Sequence, residues 1–122
     1  PAVILSKSNH VSSTNYQPWM TEEIEIAFRD YVRRGHGLLV IHSGSARYGE
    51  NKILRALIGG VFTHHPPQCE VAIEARADHF LCDASTRFTV FDEHYFMELD
   101  DKNADVFLTA TSEHGTQPAA WT

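Results

Sequence analysis

The sequence predicts an α/β domain with a parallel core and one added, more exposed strand. Its 122 residues suffice for one domain. Two short, wholly apolar runs, Ala2–Leu5 and Leu38–Ile41, are typical of strands that are buried on both faces of a parallel sheet. An amphipathic stretch between them supplies a crossover helix, and such strand–helix–strand units are almost always parallel and right-handed.

The first helix has recognisable signals at both ends. Thr21 can cap its start, and Glu22 and Glu23 suit the positive end of the helix dipole. Gly35 can end the helix in the left-handed conformation. The apolar face recurs at helical spacing and consists of Ile24, Phe28, Tyr31 and Val32.

After the second strand, the chain continues with one more helix and then changes character. The pattern of residues Asn51–Ile58 predicts this helix, and the Gly59-Gly60 pair ends it. Alternation of apolar and charged residues over Glu70–Ala75 predicts a half-exposed strand. Further strands are predicted at Phe88–Phe91 and Val106–Ala110, with another beginning at Pro118. Since a mean sheet has ~5–6 strands and the chain starts inside one, we expect residues 1–122 to be a fragment of a longer domain.

Composition excludes several classes of protein. Ten basic residues against sixteen acidic ones give a net charge of −6, which argues against nucleic-acid binding because phosphates need cationic partners. No apolar run approaches the ~20 residues of a membrane span. The two cysteines, Cys69 and Cys82, form no metal or disulfide motif and favour a reducing compartment. We therefore expect a cytoplasmic protein.

Two loops follow the carboxyl ends of the predicted parallel strands, where ligands bind in open α/β sheets. One loop contains the polar and aromatic residues Asn9, His10, Tyr16 and Trp19. The other begins with His42, Ser43 and Gly44, of which the glycine lets the backbone approach a ligand. Hydroxyl groups and free amides there could hold an anion. The alternative is a capping loop in which His42 only bonds to a neighbour.

Two later segments also carry chemistry. His64 and His65 are adjacent, so in an extended segment they point to opposite sides, which favours separate roles over a shared metal. The segment Phe91–Tyr95 places Glu93 among aromatic residues, where a carboxyl group can act as an acid or base. Asp92 is expected to be solvated. The motifs of dinucleotide, nucleotide, hydrolase and zinc-protease sites do not occur.

Five segments in this order resemble the ThuA-like family, named for trehalose utilisation. They are Tyr31–Gly35, His36–Gly44, the Gly59–Pro66 segment with its paired glycines and His-Pro, Phe88–Tyr95, and Pro118–Thr122. The resemblance implies a flavodoxin-like, class I glutamine amidotransferase-like parallel sheet with helices on both faces, incomplete here at both ends. In those amidotransferases a cysteine nucleophile occupies the place of His42. Because imidazole cannot form the glutamyl thioester, amidotransferase activity is not expected.

The resemblance also implies a role in carbohydrate utilisation of the disaccharide or trehalose type. In an enzyme acting on a sugar derivative, we expect His42 as acid or base and Glu93 as its carboxylate partner. Substrate-binding residues would be His10, Trp19, Ser43, Gly44 and Tyr95. A divalent metal such as zinc, if bound, would be held by His42, His10 and Glu93. The alternative is a non-catalytic ligand-binding or interaction domain. Exposed strand edges would favour a homo-oligomer.

Overall fold

The computed structural model describes residues 1–83 and 85–122. These form two compact units, unit 1 at Pro1–Phe62 and unit 2 at Thr63–Thr122. Over these described residues, no helix is long and apolar enough to cross a membrane. In chain order, the elements are β1 (Ala2–Leu5), α1 (Glu22–Arg33), β2 (Gly37–Val40), a 3₁₀ turn (His42–Ser45), α2 (Lys52–Ile58), β3 (Gly60–His64), β4 (Cys69–Ala75), β5 (Arg87–Asp92), β6 (Phe96–Leu99), β7 (Val106–Ser112) and β8 (Gly115–Trp121).

Unit 1 contains the predicted strand–helix–strand unit. β1 and β2 pair in parallel, with Leu5 opposite Val40. The Thr21 hydroxyl caps α1 by accepting a hydrogen bond from the Ile24 amide. At the end of α2, Gly59 adopts a left-handed φ of 79°, a conformation that a side chain disfavours. The capping signals in the sequence therefore act at the positions where they were predicted.

The core of unit 1 lies on one face of the β1–β2 pair. Its buried cluster consists of Leu5, Met20, Tyr48 and Leu54, with hydrophobic residues of α1 and α2 packed against it. The opposite face is open, because Ile4 and Leu39 are 62% and 53% exposed. Strand alternation explains this division, since successive side chains point to opposite faces of the pair.

A buried carboxylate joins the two helices of unit 1. Glu25 lies in α1, and its Oε2 accepts hydrogen bonds of 3.0 Å from the backbone amides of Ile53 and Leu54 at the start of α2. Its Oε1 accepts a third, of 2.8 Å, from the Asn51 side chain. The carboxylate thus satisfies amides at the N-terminus of α2 and complements its dipole.

Unit 2 is built on a four-stranded sheet with the order β5-β4-β7-β8, and each neighbouring pair in it is antiparallel. Its buried cluster is small and comprises Cys69, Val71 and Ala110, with Ile73 partly buried against it. The last residues of β3 lie beside β6, where the Thr63 hydroxyl donates a 2.9 Å hydrogen bond to the Phe96 carbonyl.

The predicted flavodoxin-like parallel sheet with helices on both faces is wrong. Parallel pairing in unit 1 is confined to β1 with β2 and one bridge between Ala46 and Phe62. The larger sheet is antiparallel, and only Glu113 and His114 separate β7 from β8. A parallel connection needs a crossover of a dozen or more residues, so this link forces a hairpin.

Candidate functional site

A cleft of about 340 Å³ opens in unit 1 beside the loop that follows β1. We call it the edge cleft; its lining consists of Asn9, His10, Tyr16, Pro18, Met20, Arg47, Glu50 and Asn51. These residues come from the loops after β1 and after the 3₁₀ turn, and so from the carboxyl-end side of both parallel strands. A ligand site in an open α/β sheet lies at the same place.

Two buried asparagines form the floor of the edge cleft. The Asn9 side-chain oxygen accepts hydrogen bonds from the backbone amides of Trp19 and Met20, at 3.1 and 3.0 Å. Its amide group donates to the Asn51 side-chain oxygen at 2.8 Å. These bonds close the loop of residues 9–20 and fix it to the start of α2, so the two asparagines position the lining.

His10 and Tyr16 form the aromatic part of the cleft. Their rings meet edge to face with centroids 4.9 Å apart. Desolvation, and then the positive charges of Arg47 and Lys7, lower the pKa of His10 from its ordinary 6.5. The ring is therefore neutral at pH 7 and offers one donor and one acceptor. Tyr16 is 68% exposed, which leaves its ring accessible to a ligand.

Trp19, the predicted stacking platform, lies elsewhere. Its indole N–H donates a 3.0 Å hydrogen bond to the Ser8 carbonyl, and its half-buried ring packs against the hydrophobic cluster of unit 1. Tyr16 is the aromatic ring that lines the cleft. The sequence placed both residues in the same loop, but it did not reveal which of them packs inward.

The turn after β2 is tight and strained. His42 is exposed and has a φ of 50°, a left-handed conformation that costs a residue with a side chain ~1–2 kcal/mol. A Cβ at Gly44 would lie 2.1 Å from the Leu5 carbonyl oxygen. The Ser43 hydroxyl donates to the Ser6 carbonyl at 2.7 Å. Gly44 and Ser43 therefore contact the end of β1, while His42 is held in a conformation typical of functional sites.

Glu93 and Tyr95 meet a histidine in unit 2. His65 Nε2 lies 3.6 Å from Glu93 Oε1, and the His65 ring stacks on Tyr95 with centroids 6.0 Å apart. Burial, followed by the nearby Glu93 carboxylate, raises the pKa of Tyr95 to about 12, so its hydroxyl remains a donor. His65 was not among the predicted site residues. In the sequence, His65 stands out only together with His64, and residue spacing gave no sign of its pairing with Glu93.

The predicted zinc ligands are His42, His10 and Glu93. His42 and His10 belong to unit 1, whereas Glu93 belongs to unit 2. Within residues 1–83 and 85–122, no group of three or more His, Cys, Asp or Glu side chains could hold a metal ion.

Comparison with known proteins places the chain in a family. The family model for trehalose utilisation, ThuA, matches residues 3–122 and so covers both units almost completely. Neither a curated protein nor a solved structure matches the chain. The resemblance found in the sequence is thereby confirmed. The chain belongs to the ThuA family, and this membership supports a role in trehalose and carbohydrate utilisation in general.

Proposed function

We propose that the chain binds a sugar or sugar derivative in the edge cleft of unit 1. The observation that carries this proposal is the composition of the cleft, which combines an accessible tyrosine ring with polar side chains. Ligand sites combine apolar and aromatic surface with a few placed polar groups. A sugar matches this pattern, since its ring has an apolar C–H face and its edge carries hydroxyl groups.

Each accessible residue of the cleft has a distinct role in the proposal. Tyr16 provides the aromatic surface for the sugar ring. Neutral His10 can both donate to and accept from a hydroxyl group. Arg47 adds hydrogen-bond donors and Glu50 adds acceptors. A ring stacked on Tyr16 would therefore find partners for its hydroxyl groups in either orientation.

This function has an enzymatic and a non-catalytic version. In the enzymatic version, His42 is the acid or base and Glu93 its carboxylate partner, as the sequence predicts. In the non-catalytic version, the chain only binds its ligand. The second version is favoured by Ser43 and Gly44, whose contacts are made to the Ser6 and Leu5 carbonyls at the end of β1.

Calorimetric titration with trehalose tests the proposal. The Tyr16→Ala substitution should weaken the affinity for trehalose about tenfold, because the loss of an aromatic contact worth ~1.5 kcal/mol corresponds to that factor. Val11→Ala is the matched control, since Val11 is exposed in the same loop and does not line the cleft. Equal affinity of the two variants, or no binding by the wild type, would contradict the proposal.

A further inference from the structure

We propose that β5 pairs side by side with β5 of a second copy of this chain, which makes the protein a symmetric dimer with one continuous sheet. β5 is the last strand of the four-stranded sheet and pairs there with β4. Over residues 1–83 and 85–122, no strand of the chain pairs with its other side, which we call the β5 edge. An unpaired edge offers backbone N–H and C=O groups to a further strand. The β5 edge belongs to unit 2 and shares no residue with the edge cleft.

The β5 edge has none of the features that protect strand edges. β5 contains neither proline nor lysine, and its pairing with β4 runs without a register shift. All six of its residues are exposed, among them Phe88, Val90 and Phe91 at 52%, 39% and 66%. The other edge strand, β8, differs, because Pro118 has no amide hydrogen and the pairing with β7 shifts register at Leu108. Of the two edges of this sheet, the β5 edge is therefore the open one.

The hydrogen-bond pattern determines which residues of β5 face outward. The Ala75 amide donates a 3.1 Å hydrogen bond to the Thr86 carbonyl, so Thr86 directs its backbone groups towards the chain segment of β4. This direction alternates along an antiparallel strand. Arg87, Thr89 and Phe91 therefore direct their N–H and C=O groups outward, where a further strand can bond to them.

These outward groups determine the register of the dimer. Two identical antiparallel strands are related by a two-fold axis, so each contact occurs twice. With the axis at Thr89, each Thr89 faces its counterpart, and Arg87 faces Phe91 of the second copy. Every outward N–H and C=O group of β5 then has a backbone partner.

On one face of the sheet, this register extends the apolar surface across the axis. Val90 and Phe88 lie opposite Val71 and Ile73 of β4, on the face of the buried cluster of unit 2. In the dimer, Phe88 faces Val90 of the second copy in a non-hydrogen-bonded pair, where side chains approach most closely. An axis at Val90 would instead set Phe88 against Asp92 of the second copy. The axis at Thr89 thus buries the exposed apolar side chains against one another.

On the other face, the charges are complementary. Arg87 Nε lies 3.2 Å from Glu74 Oε1. In the dimer, the next residue in this row is Phe91 of the second copy, and Glu70 lies opposite Phe91 on β4. The guanidinium group therefore gains an aromatic ring, on which it can stack, and a carboxylate beyond that ring. β5 is complementary to itself in this register, and this self-complementarity identifies a second copy as the partner.

The test is sedimentation velocity of the chain at concentrations up to about 1 mM, which covers weak interfaces. The wild type should change from monomer to dimer as the concentration rises. Thr89→Lys places two like charges opposite each other on the axis and should weaken dimerisation at least tenfold. Thr116→Lys is the matched control, because it adds the same charge at an exposed threonine of β8 and should leave the dimerisation constant unchanged.

Amide hydrogen exchange of the wild type provides a second measurement that needs no variant. Exchange at Arg87, Thr89 and Phe91 should slow as the concentration rises, while exchange in β8 should not change. A monomer at every concentration overturns the proposal. So does a dimer that Thr89→Lys leaves unaltered, or one in which the slowed amides lie outside β5, since either result places the contact on another surface.

Discussion

The two units of the chain are stabilised in different ways. Unit 1 buries a carboxylate and two asparagines and satisfies them with hydrogen bonds between residues distant in sequence. Unit 2 is an antiparallel sheet whose buried cluster has only small residues and one valine, while Phe80 and Phe91 are 87% and 66% exposed. Unit 1 is therefore stabilised in part by a few buried polar groups, whereas unit 2 is stabilised mainly by its strand pairing.

This difference between the units determines which residues hold a ligand site in position. The polar network of unit 1 holds the loops of residues 9–20 and 47–51 in position, so the edge cleft has a fixed lining. In unit 2, the buried His94 is bonded to Ser112 and Ala110 of β7 and orients the residues on either side of it. Substitutions at the supporting residues should distinguish these two kinds of support.

The largest expected effect is that of removing the buried carboxylate of unit 1. Glu25→Ala leaves the backbone amides of Ile53 and Leu54 and the Asn51 side chain without their acceptor. We expect a loss of about 3 kcal/mol or more in the free energy of unfolding, measured by urea denaturation. Glu23→Ala, at an exposed position in the same helix turn, should cost less than about 1 kcal/mol. Similar losses in the two variants would show that the Glu25 network contributes little.

The next effect concerns the contact between the turn after β2 and the end of β1. Gly44→Ala places a Cβ against the Leu5 carbonyl and should destabilise the protein by about 2 kcal/mol. Gly49→Ala meets no atom within 4 Å and should be neutral or slightly stabilising. Thermal unfolding of both variants measures the difference. A Gly44→Ala protein as stable as Gly49→Ala would mean that this turn can shift freely.

A smaller effect is expected at His42. Its φ of 50° strains any residue with a side chain, so His42→Gly should be about 1 kcal/mol more stable than His42→Ala. Both variants lack the imidazole group, and the pair therefore separates backbone strain from side-chain chemistry. Chemical denaturation gives the stabilities. Equal stability would show that the turn relaxes when the ring is removed.

The smallest effect is a pH dependence in unit 2. The hydrogen bond from Arg76 is the main cause that lowers the pKa of Asp105 below its ordinary 3.8, and His79 adds to it. A carboxyl group with a lowered folded-state pKa stabilises the protein above its unfolded-state value and loses that contribution as the pH falls through the folded-state value. Asp105→Asn should therefore reduce stability at neutral pH, and the difference from wild type should vanish well below pH ~4. A constant difference would contradict the ion pair.

Local sequence signals predicted local structure correctly. Thr21 and Gly59 mark ends of α1 and α2, and the alternation in Glu70–Ala75 lies within β4. β3 and β6 were missed because each contains polar residues, unlike the wholly apolar β1, and neither alternates as β4 does. The parallel sheet was wrong for a physical reason: strand patterns indicate burial, whereas pairing direction follows from connections and partners that local patterns do not contain.

The candidate site was predictable only in part. The loop after β1 does line a cleft, and His10 lies in it. Asn51 and Arg47 also line the cleft. Contacts between residues distant in sequence bring them there, such as the hydrogen bond between Asn9 and Asn51, which are 42 positions apart. Likewise, His65 meets Glu93 through tertiary packing alone. Residue spacing cannot show such contacts, because it describes only neighbours along one helix or strand.

The most direct test of sugar binding in unit 1 is the ¹⁵N spectrum of the His10 imidazole with and without trehalose. We predict a neutral ring at pH 7 whose signals move and saturate on addition of trehalose, with about tenfold weaker binding in Tyr16→Ala. The assignment of the edge cleft would be contradicted if the His10 signals stayed unchanged at trehalose concentrations that saturate even a weak site. It would also be contradicted if Tyr16→Ala left the response unaltered.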